Sequence, residues 1–406
     1  MLFEPARHEA LAPLAWDEGR VRAAIEAIVR DTEAARVPGR WWPTHPNDLE
    51  PGEDPQAISP SLYFGAAGVV WALRYLAAVG AAPRGPWRED FVALRDANRA
   101  WLAAGGSDDH GSYLMGELPI AMMAAQDEPD GELARSLPAL LGRTLDHPTR
   151  ELMWGAPGAL LAAAFLHEHD GAAHWAEAFR RIAAMLWSQL EWSAEHGCHH
   201  WVQDLYGQRC SYLDGVHGFV ATAAALLRGR HLLPDWPAWQ RCIAETVTRS
   251  ARHEDGLVNW PAQLADVTRG PSKWLMQFCH GAPGFVVCLA RWPDAGLDPL
   301  LSAAGETVWR AGPLAKGANL CHGTAGNGYA FLVLYQRTGE ARWLERARAF
   351  AMHALAQSEA DRAQFGRGRH SLWTGDPGLA VYLWDCLRGR AAFPTLDVFF
   401  APAAAP

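Results

Sequence analysis

The sequence predicts an all-α protein, an α/α toroid of seven inner and seven outer helices. Three observations lead there. A Gly-x-x-Gly motif followed by an apolar run recurs along the chain, and each apolar run is followed by an amphipathic one at helical spacing. No stretch of any length alternates polar and apolar residues, so strands are minor.

Residues 16–35 place apolar side chains on one helical face, and 38–60 are a Pro- and Asp-rich loop. Residues 1–60 therefore read as an N-terminal helix and loop packing on a single toroid domain, 61–406. The motifs stand at 65–68, 155–158, 215–218, 281–284, 323–326 and 375–378. A worn copy lies at 116–119, where Pro119 replaces the second glycine. The steps are then 51, 39, 60, 66, 42 and 52 residues. The runs after the motifs, such as 69–79 and 216–227, are apolar on most sides and form an inner ring. The intervening helices, 87–104, 174–195, 236–252 and 341–357, keep one polar face and form an outer ring. Linear solenoids have more uniform repeats and distinct caps, so the repeats are expected to close.

The chain has 406 residues, enough for a large core. A formal charge of -9 leaves no basic excess to hold phosphates and argues against nucleic acid. Seven cysteines, an odd number scattered over the chain, suit a reducing compartment better than a disulfide framework. The first eight residues have neither a basic nor an apolar region of a signal peptide, and apolar runs such as 157–166 are too short to span a bilayer. A cytoplasmic protein without a membrane span is expected. The twenty Trp are expected to pack between helices.

In a ring of helix hairpins all motifs fall on one rim, and the residues just before them face one basin. These are Phe64, Met115, Trp154, Asp214, Cys279-His280, Cys321-His322 and Thr374, joined by His217 and Asp376. Cys and His are the usual zinc ligands, and two Cys-His pairs at equivalent repeat positions point to one metal site. Cys279, Cys321 and His322 would leave a fourth position open, as catalytic zinc sites do. The spacing alone also allows His280 to replace or join His322. His217 is a candidate general acid, or a histidine that satisfies a backbone carbonyl. Lys316, Arg367 and Arg369 could bind carboxylates at the basin mouth, or be solvated charges.

At these residues the chain resembles the lanthionine synthetase C-like (LanC-like) family. The resemblance is carried by Phe278-Cys279-His280-Gly281-Ala282-Pro283-Gly284 and by Leu320-Cys321-His322-Gly323-Thr324-Ala325-Gly326-Asn327-Gly328-Tyr329-Ala330, with the Gly-x-x-Gly series around them. It implies a seven-plus-seven toroid and a central Zn2+ on Cys279, Cys321 and His322, with His280 left out. His217 would protonate the reaction intermediate. His280 after the first cysteine and Lys316 are similar to the eukaryotic-type members, which bind glutathione and add it to dehydrated Ser or Thr in proteins. Arg367 or Arg369 would match an Arg that takes part there. Glu151 stands where bacterial lanthipeptide cyclases carry an Asp, so a catalytic role for it is expected through that position.

The function expected is zinc-dependent Michael-type addition of glutathione, or of a peptide cysteine, to dehydroalanine or dehydrobutyrine, giving a thioether. The partners are then a thiol and a peptide or protein carrying the dehydroamino acid. A cyclase acting on cysteines within its own substrate is the close alternative. From other classes come a non-catalytic module that binds zinc and glutathione, and an α/α-toroid carbohydrate-active enzyme using Asp214, Glu151 and Asp376.

Overall fold

The computed structural model describes residues 1–401 except 50, 51, 53, 55, 86 and 87. Its helices are α1 (Glu18–Ala34), α2 (Ala66–Ala78), α3 (Phe91–Ala104), α4 (Leu118–Asp127), α5 (Glu132–Arg143), α6 (Ala156–Asp170), α7 (Ala173–Ser188), α8 (Phe219–Arg228), α9 (Trp236–Ser250), α10 (Asp266–Arg269), α11 (Ala282–Cys288), α12 (Asp298–Ala311), α13 (Thr324–Thr338), α14 (Ala341–Phe365) and α15 (Asp376–Arg388). Seven of them, α2, α4, α6, α8, α11, α13 and α15, follow the motifs and pack each on the next, and α15 returns to α2. They are the apolar inner ring: α8 is buried at all ten of its positions and α11 at all seven.

The outer ring is α1, α3, α5, α7, α9, α12 and α14. Its seventh member is the N-terminal helix. No helix follows α15 among the described residues, and α1 packs on α15 instead. The ring is thus closed by the two ends of the sequence, and the helix within 1–60 is an outer-ring helix. Asp17 fixes where α1 begins, because its side chain accepts from Arg20 N. Asp31 of α1 then pairs with Arg362 and His370, both late in the sequence.

Three two-stranded antiparallel hairpins account for the two long steps. They are β1 (Glu191–Ser193) with β2 (Cys198–His200), β3 (Gln203–Leu205) with β4 (Gln208–Cys210), and β5 (Arg252–Glu254) with β6 (Leu257–Asn259). The helix expected over 174–195 therefore stops at Ser188, and 191–193 pair as β1 through a turn whose Gly197 has φ 64°. The helix expected over 87–104 is described from Phe91; position 87 lies outside the described residues, as do parts of the loop 38–60.

The structure also corrects the register of the fourth motif. Gly218, not Gly215, caps α8 as Gly65, Gly155, Gly281, Gly323 and Gly375 cap their helices. With that shift seven eight-residue turns align. Their first places hold Ser61, Ser112, Glu151, Asp214, Gln277, Asn319 and Ser371; their third places hold Tyr63, Leu114, Met153, Val216, Cys279, Cys321 and Trp373. Fourth come Phe64, Met115, Trp154, His217, His280, His322 and Thr374, and the fifth place is glycine throughout, capping its helix in every turn but the second, where Glu117 caps α4 instead of Gly116.

Third-place backbone groups are joined around the rim. Cys279 N–H donates to Cys321 C=O, Cys321 to Trp373, Trp373 to Tyr63, Tyr63 to Leu114, and Leu114 to Met153, all at 2.9–3.2 Å. Polar groups that would be orphans at the centre are satisfied by the next repeat. The eighth place is glycine in five turns because the second-place carbonyl presses on it. A Cβ on Gly326 would lie 1.8 Å from the Leu320 oxygen. Gly326→Ala is therefore expected to push Leu320-Cys321 out of place, costing about 3 kcal/mol or more. Thermal unfolding together with zinc content checks this.

The far side of the ring holds Asp385, buried with its Oδ2 accepting from Tyr329 Oη at 2.9 Å and Ala392 N at 3.1 Å. Burial pushes its carboxyl up to about 8 against those hydrogen bonds. The fold therefore keeps a proton that the unfolded chain releases near pH 4. Its stabilising effect is complete below that and is lost as pH rises through 8. Asp385→Asn, which can still accept both bonds, should raise the urea midpoint at pH 8 and flatten its fall between pH 4 and 8.

Candidate metal centre

The aligned turns explain why the chemistry collects in one sector. The fourth places of three consecutive turns are His217, His280 and His322, and the third places of two of them are Cys279 and Cys321. The ligand atoms of Cys279, Cys321 and His322 all lie within 4.8 Å of one another. Both cysteines are buried, and no other group of three or more His, Cys, Asp or Glu suited to a metal occurs among the described residues.

The donor set fits zinc. A tetrahedral ion with Zn–S near 2.3 Å and Zn–N near 2.0 Å sets its ligands roughly 3.5–3.8 Å apart, so small rotamer changes suffice. The charges fit as well. A hydrogen bond with Cys321, then burial, holds the Cys279 thiol well above its usual range. Burial pulls His322 below 6.5, with Lys316 and Arg369 adding to it against the Cys279 charge. A neutral imidazole is ready to ligate, and a cation would ionise thiols that otherwise keep their protons. All seven cysteines are free of disulfides.

Two side chains not singled out from the sequence touch the sulfurs. Tyr63 donates its hydroxyl hydrogen to Cys321 Sγ at 2.8 Å, and Gln277 donates from Nε2 to Cys279 Sγ at 2.9 Å. Tyr63 holds the third place that cysteine holds in two other turns, a signal legible only once the register is right.

His280, open to either role by spacing, faces Asp214 rather than the three-ligand group: its Nδ1 is 2.7 Å from Asp214 Oδ2. His217 Nδ1 is likewise 3.0 Å from Glu151 Oε2, and the two imidazole centroids are 6.4 Å apart. Each carboxylate does two things. Glu151 accepts from Trp154 N and Met153 N in its own turn, and Asp214 from His217 N and Val216 N in its own. Each then orients the histidine of the following turn. Both carboxylate side chains are fully buried. Burial lowers His217, but the Glu151 hydrogen bond and charge, then Asp214 and Cys279, outweigh it and lift His217 to about 9. His280 is lifted to about 9 in the same way, chiefly by Asp214.

The cations separate. Lys316 and Arg369 line one small cavity of about 40 Å³ with Asn319, Asp361 and Thr374. Lys316 is exposed, while Arg369 is buried and forms a two-pronged pair with Asp48, 2.8 Å from Nε and 2.5 Å from Nη2. Arg367 is not in that cavity; it donates to Thr44 C=O in the N-terminal loop. Asp376 is also engaged, accepting from Ser358 Oγ and Arg369 N. Trp154 and the exposed Tyr206, joined by a 3.1 Å hydrogen bond, carry aromatic surface beside Glu151.

Comparison with known proteins follows the same lines. Residues 122–398 match the sequence profile described as lanthionine synthetase C-like protein. The chain is 36% identical over 138 residues to a protein named glutathione S-transferase LANCL1 from Danio rerio, covering 30% of this chain and 32% of that one. It is 30% identical over 217 residues to LanC-like protein GCL1 from Arabidopsis thaliana, covering 50% and 46%. In these matches the chain spans a third to about half of the relatives' length. Among solved structures, nisin cyclase superposes with a TM-score of 0.58 at 12% identity over 92% of this chain and 96% of its own. That last likeness speaks for the fold alone. No helix among the described residues is long and apolar enough to cross a membrane. The profile covers two thirds of the sequence and every residue of the three-ligand group, and the chain belongs to the lanthionine synthetase C-like family.

Proposed function

We propose that the protein adds a thiol, glutathione first among them, across the double bond of dehydroalanine or dehydrobutyrine in a peptide or protein. The observation that carries this is the pairing of a three-donor zinc-type site with a carboxylate-held histidine in the same basin. Zinc, when bound on Cys279, Cys321 and His322, supplies ionisation of the incoming thiol and a place to hold it. A free thiol near pKa 8.5 is only a few per cent thiolate at pH 7, so full ionisation is worth roughly 30-fold, about 2 kcal/mol. Part of that is lost because a less basic sulfur is a poorer nucleophile. Positioning by the protein must supply much of the remaining rate.

The sulfur–Cβ bond forms as the C=C π bond breaks, and the electron pair moves to the peptide carbonyl oxygen. Helix N-termini face this rim, and their N–H groups favour the developing negative charge. His217, held through Nδ1 by Glu151, gives its proton from Nε2 to the α-carbon. Its high pKa keeps it protonated at pH 7 and ready to act as an acid. The thiol hydrogen leaves to solvent, so the sum is H–S added across C=C. Lys316, with Arg369 behind it, takes a substrate carboxylate. Lys316→Gln should raise KM for glutathione roughly 10-fold with kcat little changed, as loss of one charged hydrogen bond does.

The carbohydrate reading fits less well, because Glu151, Asp214 and Asp376 are each bound to protein partners. The test is direct. Purified protein is assayed for metal, loaded with zinc, and incubated with glutathione and a dehydroalanine peptide. A peptide mass gain of one glutathione that needs the protein supports the proposal. Tight zinc and glutathione binding without turnover would make the protein a binding module. Turnover only with cysteines inside the dehydrated peptide would make it a cyclase.

A further inference from the structure

A site built for thiol addition presents a problem of selection. With zinc bound on Cys279, Cys321 and His322, two protein sulfurs and one substrate sulfur would share the ion, and the electrophile would reach all three unless something distinguished them. We infer that Tyr63 and Gln277 are positioning residues that make this distinction: each donates a hydrogen bond to one protein sulfur and lowers its reactivity, so the attack falls to the substrate's sulfur. The inference rests on the thiol-addition reading.

The two contacts are short, one buried and one half-buried. Tyr63 Oη stands 2.8 Å from Cys321 Sγ and Gln277 Nε2 stands 2.9 Å from Cys279 Sγ. Each sulfur has its own donor, Gln277 from the turn of Cys279 itself and Tyr63 from the first turn of the ring. Gln277 also departs from the rule of its place. Ser61, Ser112, Glu151, Asp214 and Asn319, in the same place of other turns, accept a hydrogen bond from their own turn's fourth-place N–H. In the Gln277 turn that N–H, from His280, goes to the Gln277 backbone carbonyl, and the side chain is spent on sulfur. Its Oε1 is buried with no partner. An orphaned carbonyl oxygen costs about 1–3 kcal/mol, and a flipped amide would aim a lone pair at sulfur. The cost is consistent with a donor kept for the thiolate. Tyr63 departs in parallel, placing a phenol where two other turns place a ligand cysteine.

The chemistry is general. A hydrogen bond to an anionic acceptor is strong and stabilises the lone pair it meets. Thiolate nucleophilicity rises with basicity along a slope near 0.4–0.5, so a donor that lowers effective basicity by a unit or two slows attack about 3- to 10-fold.

The test needs neither glutathione nor a dehydroamino acid. Zinc-loaded protein is treated with iodoacetamide, which forms a sulfur–carbon bond and releases iodide, and each cysteine is read by peptide mass mapping. Tyr63→Phe should speed modification of Cys321 about 3- to 10-fold and leave Cys279 as it was, and Gln277→Met should do the reverse. In cobalt-substituted protein both variants should move the sulfur-to-metal charge-transfer band to lower energy, as more electron-rich sulfur does. Unchanged rates, both cysteines rising together in either variant, or an unmoved band would overturn the inference. So would a Tyr63→Phe protein unable to hold cobalt at saturation, since the hydroxyl would then be retaining the metal. A protein that shows the crossed pattern yet never adds glutathione would sink the proposed activity and leave this inference standing.

Discussion

Cys321→Ala is expected to abolish thiol addition and to leave purified protein with far less than one equivalent of zinc. Its sulfur is one of three donors within 4.8 Å, and the turn that carries it is tied on both sides by backbone bonds, to Trp373 and from Cys279. Removing the side chain leaves that backbone ring intact, so the fold should survive. The loss in metal affinity should exceed the roughly 100-fold that disturbing an outer partner of a metal ligand costs. Metal content by mass spectrometry, with circular dichroism to show a folded ring, checks the first half, and turnover checks the second. Retained stoichiometric zinc would mean that the metal sits elsewhere. Zinc binding itself should release protons, because Cys279 resists ionisation in the bare site.

His217→Asn is expected to lower kcat about 100- to 10,000-fold while zinc stays bound, the range in which a positioned acid contributes. The variant should leave KM for the thiol nearly unchanged, since His217 does not line the cavity that Lys316 and Arg369 share. The pH profile of the unmodified protein carries the same claim. His217 titrates near 9, so activity that requires its protonated form should fall above that pH. Glu151→Gln removes the charge that raises it, and the alkaline limb should move down toward the ordinary histidine value of about 6.5. The sign for stability runs the same way. A histidine whose pKa is raised by folding contributes fully below about 6.5 and loses that contribution as pH rises through 9. A pH limb that ignores both substitutions would remove His217 from the reaction.

The placement of Glu151 and Asp214 shows how the ring builds its acid. In most turns the third-place N–H reaches the next repeat, but in these two a carboxylate takes it. Met153 N–H goes to Glu151 and Val216 N–H to Asp214. The same carboxylates continue to the histidine one repeat on, at 3.0 Å and 2.7 Å. A residue that first serves the turn thus tunes the neighbouring turn's imidazole.

Much of this could be read from the sequence. Glycine punctuation and apolar runs repeat locally, so seven inner helices, a single basin rim and the Cys-His pairs at Cys279 and Cys321 were visible without coordinates. Local pattern set those because a helix cap, a tight turn and an apolar face each depend on residues within a few positions. What joins distant positions was not visible. Only packing gave α1 to α15, because the seventh outer place is filled from the other end of the sequence. Only packing separated Arg369 from Arg367, turned His280 toward Asp214, and brought Tyr63 to a sulfur 258 positions away. Periodicity records which face a side chain occupies, and it carries no information on which partner from another repeat will meet it there.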